Sequence, residues 1–126
     1  MEQRKVFGLV SDLMFTVRIG ETAKRANVDI KFVKTASDLI ERADSDMALI
    51  ILDLNNQQID VLGTIKDLKG NAKTKKIKLL GFVSHVESAL IQAARQAGCD
   101  TVLARSAFVA GLPEIFGSLQ SPTVRG

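Results

Sequence analysis

The chain has 126 residues, a formal net charge of +3, 46% hydrophobic and 25% charged residues, a balance that suits one globular domain with a real core. So mild a charge gives no general argument for nucleic acid, and the absence of Trp and Tyr removes the usual stacking residues of single-strand binders other than Phe. A single cysteine excludes an intramolecular disulfide and fits a reducing, cytoplasmic setting.

In chain order, VFGLV (6–10) reads as a strand, followed by Ser11 and Asp12. Residues 13–26 read as a helix with Met14, Val17 and Ala26 near helical spacing and Gly20 as its weak point. Asp12 stands at the start of that helix, where an acid is favourable. DIKFV (29–33) is the second strand, and the helix over 35–43 opens on Thr35 with Asp38 three residues on, close to a capping box. ALIIL (48–52) is continuously apolar, as in a strand buried on both faces, and ends in Asp53, Leu54 and Asn55. A third helix over 59–70 closes on Gly70, a good residue just past a helix end.

LLGFV (79–83) is the fourth strand, with Ser84 and His85 after it. Residues 85–98 form the clearest helix, closed by Gly98, with Ser84 in position to cap it. Cys99 reads as a small buried hydrophobe. TVLA (101–104) is the fifth strand, followed by Arg105 and Ser106. Pro113 fits the first turn of a short last helix, PEIFGSL (113–119). A domain over 1–119 and a loose tail over 120–126 are expected. Lys66, Lys69, Lys73, Lys75, Lys76 and Lys78 form a basic run whose plain reading is a solvated face at the amino edge of the sheet.

Strand–helix alternation of this kind implies a parallel sheet with helices on both faces. Ligands of such sheets gather beyond the carboxyl ends of the strands, where the strand order reverses. Asp12, Asp53, Ser84 and Arg105 all follow strands and meet at that edge. Two carboxylates, a hydroxyl and a cation are the residue types of a phosphate and Mg²⁺ site. No G-x-G-x-x-G, Walker loop or nucleophile elbow occurs, and no enzymatic activity is expected. Nor does any apolar run reach the length of about 18 residues that a membrane span needs.

In ALIILDLNNQQIDVLGTIKDLK, GFVSH and AGCDTVLARSAF the chain resembles the receiver domains of response regulators, the chemotaxis-type (CheY-like) family, over residues 4–119. The resemblance implies a flavodoxin-like, three-layer α/β sandwich around a five-stranded parallel sheet of order 2-1-3-4-5. It implies that Asp53 accepts a phosphoryl group, that Asp12, Asp53 and the Asn55 carbonyl hold Mg²⁺, and that Ser84 and Arg105 bind the phosphoryl oxygens. The partners it implies are a histidine kinase or phosphotransfer protein and a downstream protein on residues 85–119, with a second copy of the chain as a further candidate. Neither nucleic acid nor membrane is expected.

The chain departs from the family's pattern at several positions. Ser11 stands where a second acid is usual, Arg105 where lysine is, Ser106 where proline is, and Val102 where an aromatic switch is. His85 replaces a small residue and stands to narrow access to Asp53. These changes weaken the metal site and the coupling to a partner face, since Arg and Lys differ in reach and geometry. They also support an alternative: a phosphorylation-independent pseudo-receiver, locked by an ion pair from Arg105 to Asp12 or Asp53, that serves as a constitutive protein-interaction module.

Overall fold

The computed structural model describes residues 4–119, so the tail read over 120–126 lies outside the described residues. Five strands alternate with five helices: β1 (Arg4–Leu9), α1 (Leu13–Arg25), β2 (Val28–Phe32), α2 (Ala36–Arg42), β3 (Met47–Asp53), α3 (Val61–Gly70), β4 (Lys78–Val83), α4 (Ser88–Ala97), β5 (Thr101–Ala104) and α5 (Arg105–Gly117). All neighbouring strands pair in parallel, in the order β2-β1-β3-β4-β5. This is the flavodoxin-like topology expected.

The period-2 geometry of a strand explains the layers. In β3, Leu49 and Ile51 join one core with Phe15, Ile19 and Ala23 of α1 and Phe108, Leu112 and Phe116 of α5. Ile50 and Leu52 point the other way, to Leu39 of α2, Ile65 and Leu68 of α3 and Ala94 of α4. Ile50, Ile51 and Leu52 are wholly removed from solvent, and each such side chain contributes about 1.5–3 kcal/mol.

Helices α1 and α5 differ most from expectation. Met14 and Val17, read as the apolar stripe of α1, are 80% and 55% exposed. The buried stripe is Phe15, Ile19 and Ala23, at strict i, i+4 spacing. The last helix begins at Arg105 rather than at Pro113, which sits inside it. Phe108, Leu112 and Phe116 recur every four residues and are buried. Burying three large side chains outweighs the roughly 3 kcal/mol that an interior proline costs a helix.

Helix ends were legible in part. Thr35 caps α2 by accepting the Asp38 N–H at 3.1 Å, and Asp12 caps α1 by accepting the Phe15 N–H at 3.2 Å. Gly70 is the last residue of α3, not the residue beyond it, and Asn71 follows as the cap. Gly98 does close α4 in the left-handed region, with φ +119°. At the amino edge the basic run is partly structural. The Lys69 ammonium reaches Asp100 at 3.0 Å and the Ile77 carbonyl at 3.3 Å, and Lys73 donates to the Glu41 carbonyl at 3.3 Å. Lys66, Lys75, Lys76 and Lys78 remain exposed. Asp100 also accepts the Leu79 N–H at 2.8 Å, so one carboxylate joins α3, β4 and β5. Cys99 is buried as expected and its thiol lies 3.3 Å from the Thr101 carbonyl.

A Cβ at Gly98 would meet the Lys69 side chain at 2.7 Å, on a backbone that L residues rarely adopt. Gly98→Ala is expected to destabilise the domain by about 1–2 kcal/mol, seen as a lower urea midpoint at unchanged slope.

Candidate functional site

Residues that end strands build the cleft. Asp53 closes β3 opposite Phe82 of β4, so the pairing that buries Leu52 also carries the carboxylate to the carboxyl edge. Ser11 and Asp12 follow β1, Ser84 follows β4, and Arg105 opens α5 directly after β5. Together with Asn55 they line one open cleft of about 560 Å³. The predicted site residues therefore do converge, at the switch point between β1 and β3.

Asp53 is only 7% exposed. One carboxylate oxygen accepts the Asn55 N–H at 3.0 Å and the other faces the Ser11 hydroxyl at 3.5 Å. Burial raises its pKa above the ordinary value, against the Asn55 N–H, the Ser11 hydroxyl and the charge of Arg105, which favour the ionised form. The absence of an acid at position 11 leaves a hydroxyl donor there in place of a second negative charge.

Asp12 is tied differently. The Phe15 N–H above all, helped by Arg105 and opposed by desolvation, holds its pKa below the ordinary value. Its second oxygen receives the Arg105 guanidinium at 3.3 Å. That guanidinium also lies 4.0 Å from the centre of the Phe15 ring, a stacking contact of about 0.5–1 kcal/mol at a surface site. Of the two ion pairs open to Arg105 on sequence, the one with Asp12 forms. Neither Arg105 nor the Ser84 hydroxyl makes a hydrogen bond to Asp53 among the described residues.

Ser84 does not cap α4. The helix starts later, at Ser88, with Glu87 as its cap residue and no side-chain cap bond. The reason lies in Asn55, whose side-chain oxygen accepts the N–H groups of Ser84 at 2.6 Å and His85 at 3.3 Å. These bonds hold the loop after β4 against the end of β3 and keep residues 84–87 out of the helix. Asn55 was read for its carbonyl; its amide turns out to be the loop's anchor. His85 is exposed at the rim of the cleft. Gln57 and Glu87 also line it. Neither falls in a recognisable motif, and only the three-dimensional path of the loops brings them there. Val102 is buried in the core beneath α4, with no ring to turn outward.

A divalent cation takes oxygen ligands, and Asp12, Asp53 and the Asn55 carbonyl supply that chemistry. In the resting arrangement an ion would compete for them with donors already in place. Each Asp12 oxygen already has a donor, Phe15 or Arg105, and Asp53 is engaged by Asn55 and Ser11. Among the described residues no group of three or more His, Cys, Asp or Glu is placed to hold a metal.

Removing the Asn55 amide tests the anchor. Asn55→Ala is expected to speed amide exchange at Ser84 and His85 by about tenfold, the loss of bonds worth roughly 1 kcal/mol each, while exchange in the core of β3 stays unchanged.

No protein-family model matches the chain, and no curated protein matches its sequence at a significant level. Solved structures do. A response regulator from Hahella chejuensis superposes with a TM-score of 0.79 at 16% identity, over 90% of this chain and 92% of that one. The chemotaxis response regulator CheY4 of Vibrio cholerae gives 0.77 at 14% identity, over 90% and 96%. The receiver domain of a sensor histidine kinase from Pseudomonas aeruginosa, with a magnesium ion coordinated in its active-site cleft, gives 0.78 at 13% identity, over 91% and 95%. The chain has the fold of these response-regulator receiver domains, and its own strand order agrees with it.

Proposed function

We propose that the chain is an atypical receiver module of phosphorelay signalling, with Asp53 as its phosphoacceptor. The observation that carries this reading is the position of Asp53. It ends the central strand, opens onto the cleft, and has a hydroxyl, a backbone N–H and a cation around it. In the step, an Asp53 oxygen bonds to phosphorus while the phosphorus–nitrogen bond of a donor phosphohistidine breaks, and its electron pair leaves on the imidazole. The donor is a histidine kinase or a phosphotransfer protein. Ser11, Ser84 and Arg105 meet the phosphoryl oxygens; one guanidinium nitrogen is committed to Asp12, and the fork has further N–H groups. The added charge shifts the populations of two surface states, read by a downstream protein on residues 85–119.

One observation favours a second reading. The Arg105–Asp12 pair occupies Asp12 in the unmodified chain, and Val102 offers no aromatic switch. A module in this state presents a constant face and works without phosphoryl transfer. Under both readings the chain is a signalling or interaction domain rather than an enzyme.

Intact mass after incubation with acetyl phosphate and Mg²⁺, on wild type beside Asp53→Asn, separates the two readings. A phosphoryl adduct on wild type that is absent from Asp53→Asn is expected. No adduct with acetyl phosphate, and none with a phosphohistidine donor, sinks the phosphoacceptor and leaves the constitutive module.

Asp53→Asn also has a stability consequence. Because the folded-state pKa of Asp53 is raised, its contribution to stability is full below the ordinary carboxylate value of 3.8 and is lost as pH rises through the folded value. Asp53→Asn is expected to melt higher than wild type at neutral pH, with the difference shrinking as pH falls toward about 4.

A further inference from the structure

Arg105 is held in two independent ways. Its guanidinium pairs with an Asp12 oxygen at 3.3 Å, and it stacks 4.0 Å from the Phe15 ring centre. Both contacts come from the same turn at the start of α1, where the Phe15 N–H fixes the other Asp12 oxygen at 3.2 Å. Phe15 is itself fixed from below. It packs edge-on against Phe82 at 5.0 Å and leans on Phe108 at 5.9 Å, while Phe82 and Phe108 stack at 4.9 Å. The cation at the rim therefore rests on an aromatic column drawn from α1, β4 and α5. A planar guanidinium suits that seat, being able to pair and stack at once, and an ammonium does not.

We infer that Arg105 is a built-in cation of this cleft: seated on Phe15, it takes the place at Asp12 that a divalent ion needs and so excludes such an ion from the resting chain. The inference rests on the proposal that the cleft is the working site, and it concerns what that site binds. An ion arriving at Asp12 meets the positive charge of the guanidinium already there, and Ser11 leaves Asp53 as the neighbouring carboxylate to offset it. The Asp12 charge is thus neutralised from within. Access to a metal depends on moving Arg105 off Asp12 rather than on the concentration of the ion alone.

The experiment is a Mn²⁺ titration read by paramagnetic broadening of backbone amide signals, on wild type, Arg105→Gln and the double variant Asp12→Asn with Arg105→Gln. Arg105→Gln is expected to bind Mn²⁺ at least about tenfold more tightly than wild type, with broadening centred on residues 11, 12 and 53. The double variant is expected to lose that gain. Arg105→Lys keeps the charge but not the planar seat on Phe15, so it is expected to tighten binding by a smaller factor. It carries the same comparison if Arg105→Gln does not fold. Equal affinity in wild type and the Arg105 variants overturns the inference, as does an absence of binding in all of them or a gain that survives Asp12→Asn. The readout is independent of phosphorylation. Tighter Mn²⁺ binding without any phosphoryl adduct removes the phosphoacceptor and keeps the built-in cation. An adduct on wild type with no gain in the Arg105 variants does the reverse.

Discussion

The burial of β3 on both of its faces is the constraint from which the rest of the molecule follows. A strand whose alternate residues enter two separate cores needs a helical layer on each side. That need fixes the parallel pairing, and with it the side of the sheet on which every loop after a strand emerges. Asp53 has no freedom in this scheme. It is the first polar residue beyond four buried ones, and it halts the apolar strand where the sheet meets the cleft. Its part-buried carboxylate is a by-product of fold architecture before it is a chemical group, and its raised pKa is the electrostatic mark of that position.

Around this carboxylate the chain replaces charge with hydrogen bonding. A hydroxyl stands at Ser11 and an amide anchor at Asn55, while the one cation, Arg105, is turned toward Asp12. Asp12 is compensated without any bound ion, while Asp53 has hydrogen-bond donors in place of an ion pair. This arrangement is consistent with both readings of the site's function, since an Asp12 already paired with Arg105 can be either the start of a phosphoryl-transfer cycle or part of a constant binding face. What distinguishes them is whether Arg105 leaves its seat.

Much of this could be read from the sequence. The continuous apolar run 48–52, the cap at Thr35 and the left-handed Gly98 each carry a local physical cause, and each is realised. The convergence of Asp12, Asp53, Ser84 and Arg105 was legible because strand ends share an edge. The failures have causes as well. The stripe of α1 was assigned to Met14 and Val17 because several apolar residues compete there, and only the sheet decides which are covered. Pro113 hid the start of α5, although the four-residue recurrence of Phe108, Leu112 and Phe116 was present to be counted. Ser84 resembled a cap, but a side chain 29 residues away, Asn55, takes its loop instead. The seat of Arg105 on Phe15 joins residues far apart in the chain, and no local pattern announces it.

The Asp100 carboxylate has a consequence for how the chain tolerates change in length. It must reach both the Leu79 N–H and Lys69, and it lies just beyond the left-handed close of α4. One residue inserted into α4 would turn Asp100 by about 100° around the helix axis and break both bonds together. The segment from Gln57 to Ile59 is tied only locally, by the Gln58 N–H donating to the Asn56 side chain at 3.0 Å and by Ile59 against the core. A change of length is therefore borne more easily between Gln57 and Ile59 than within α4.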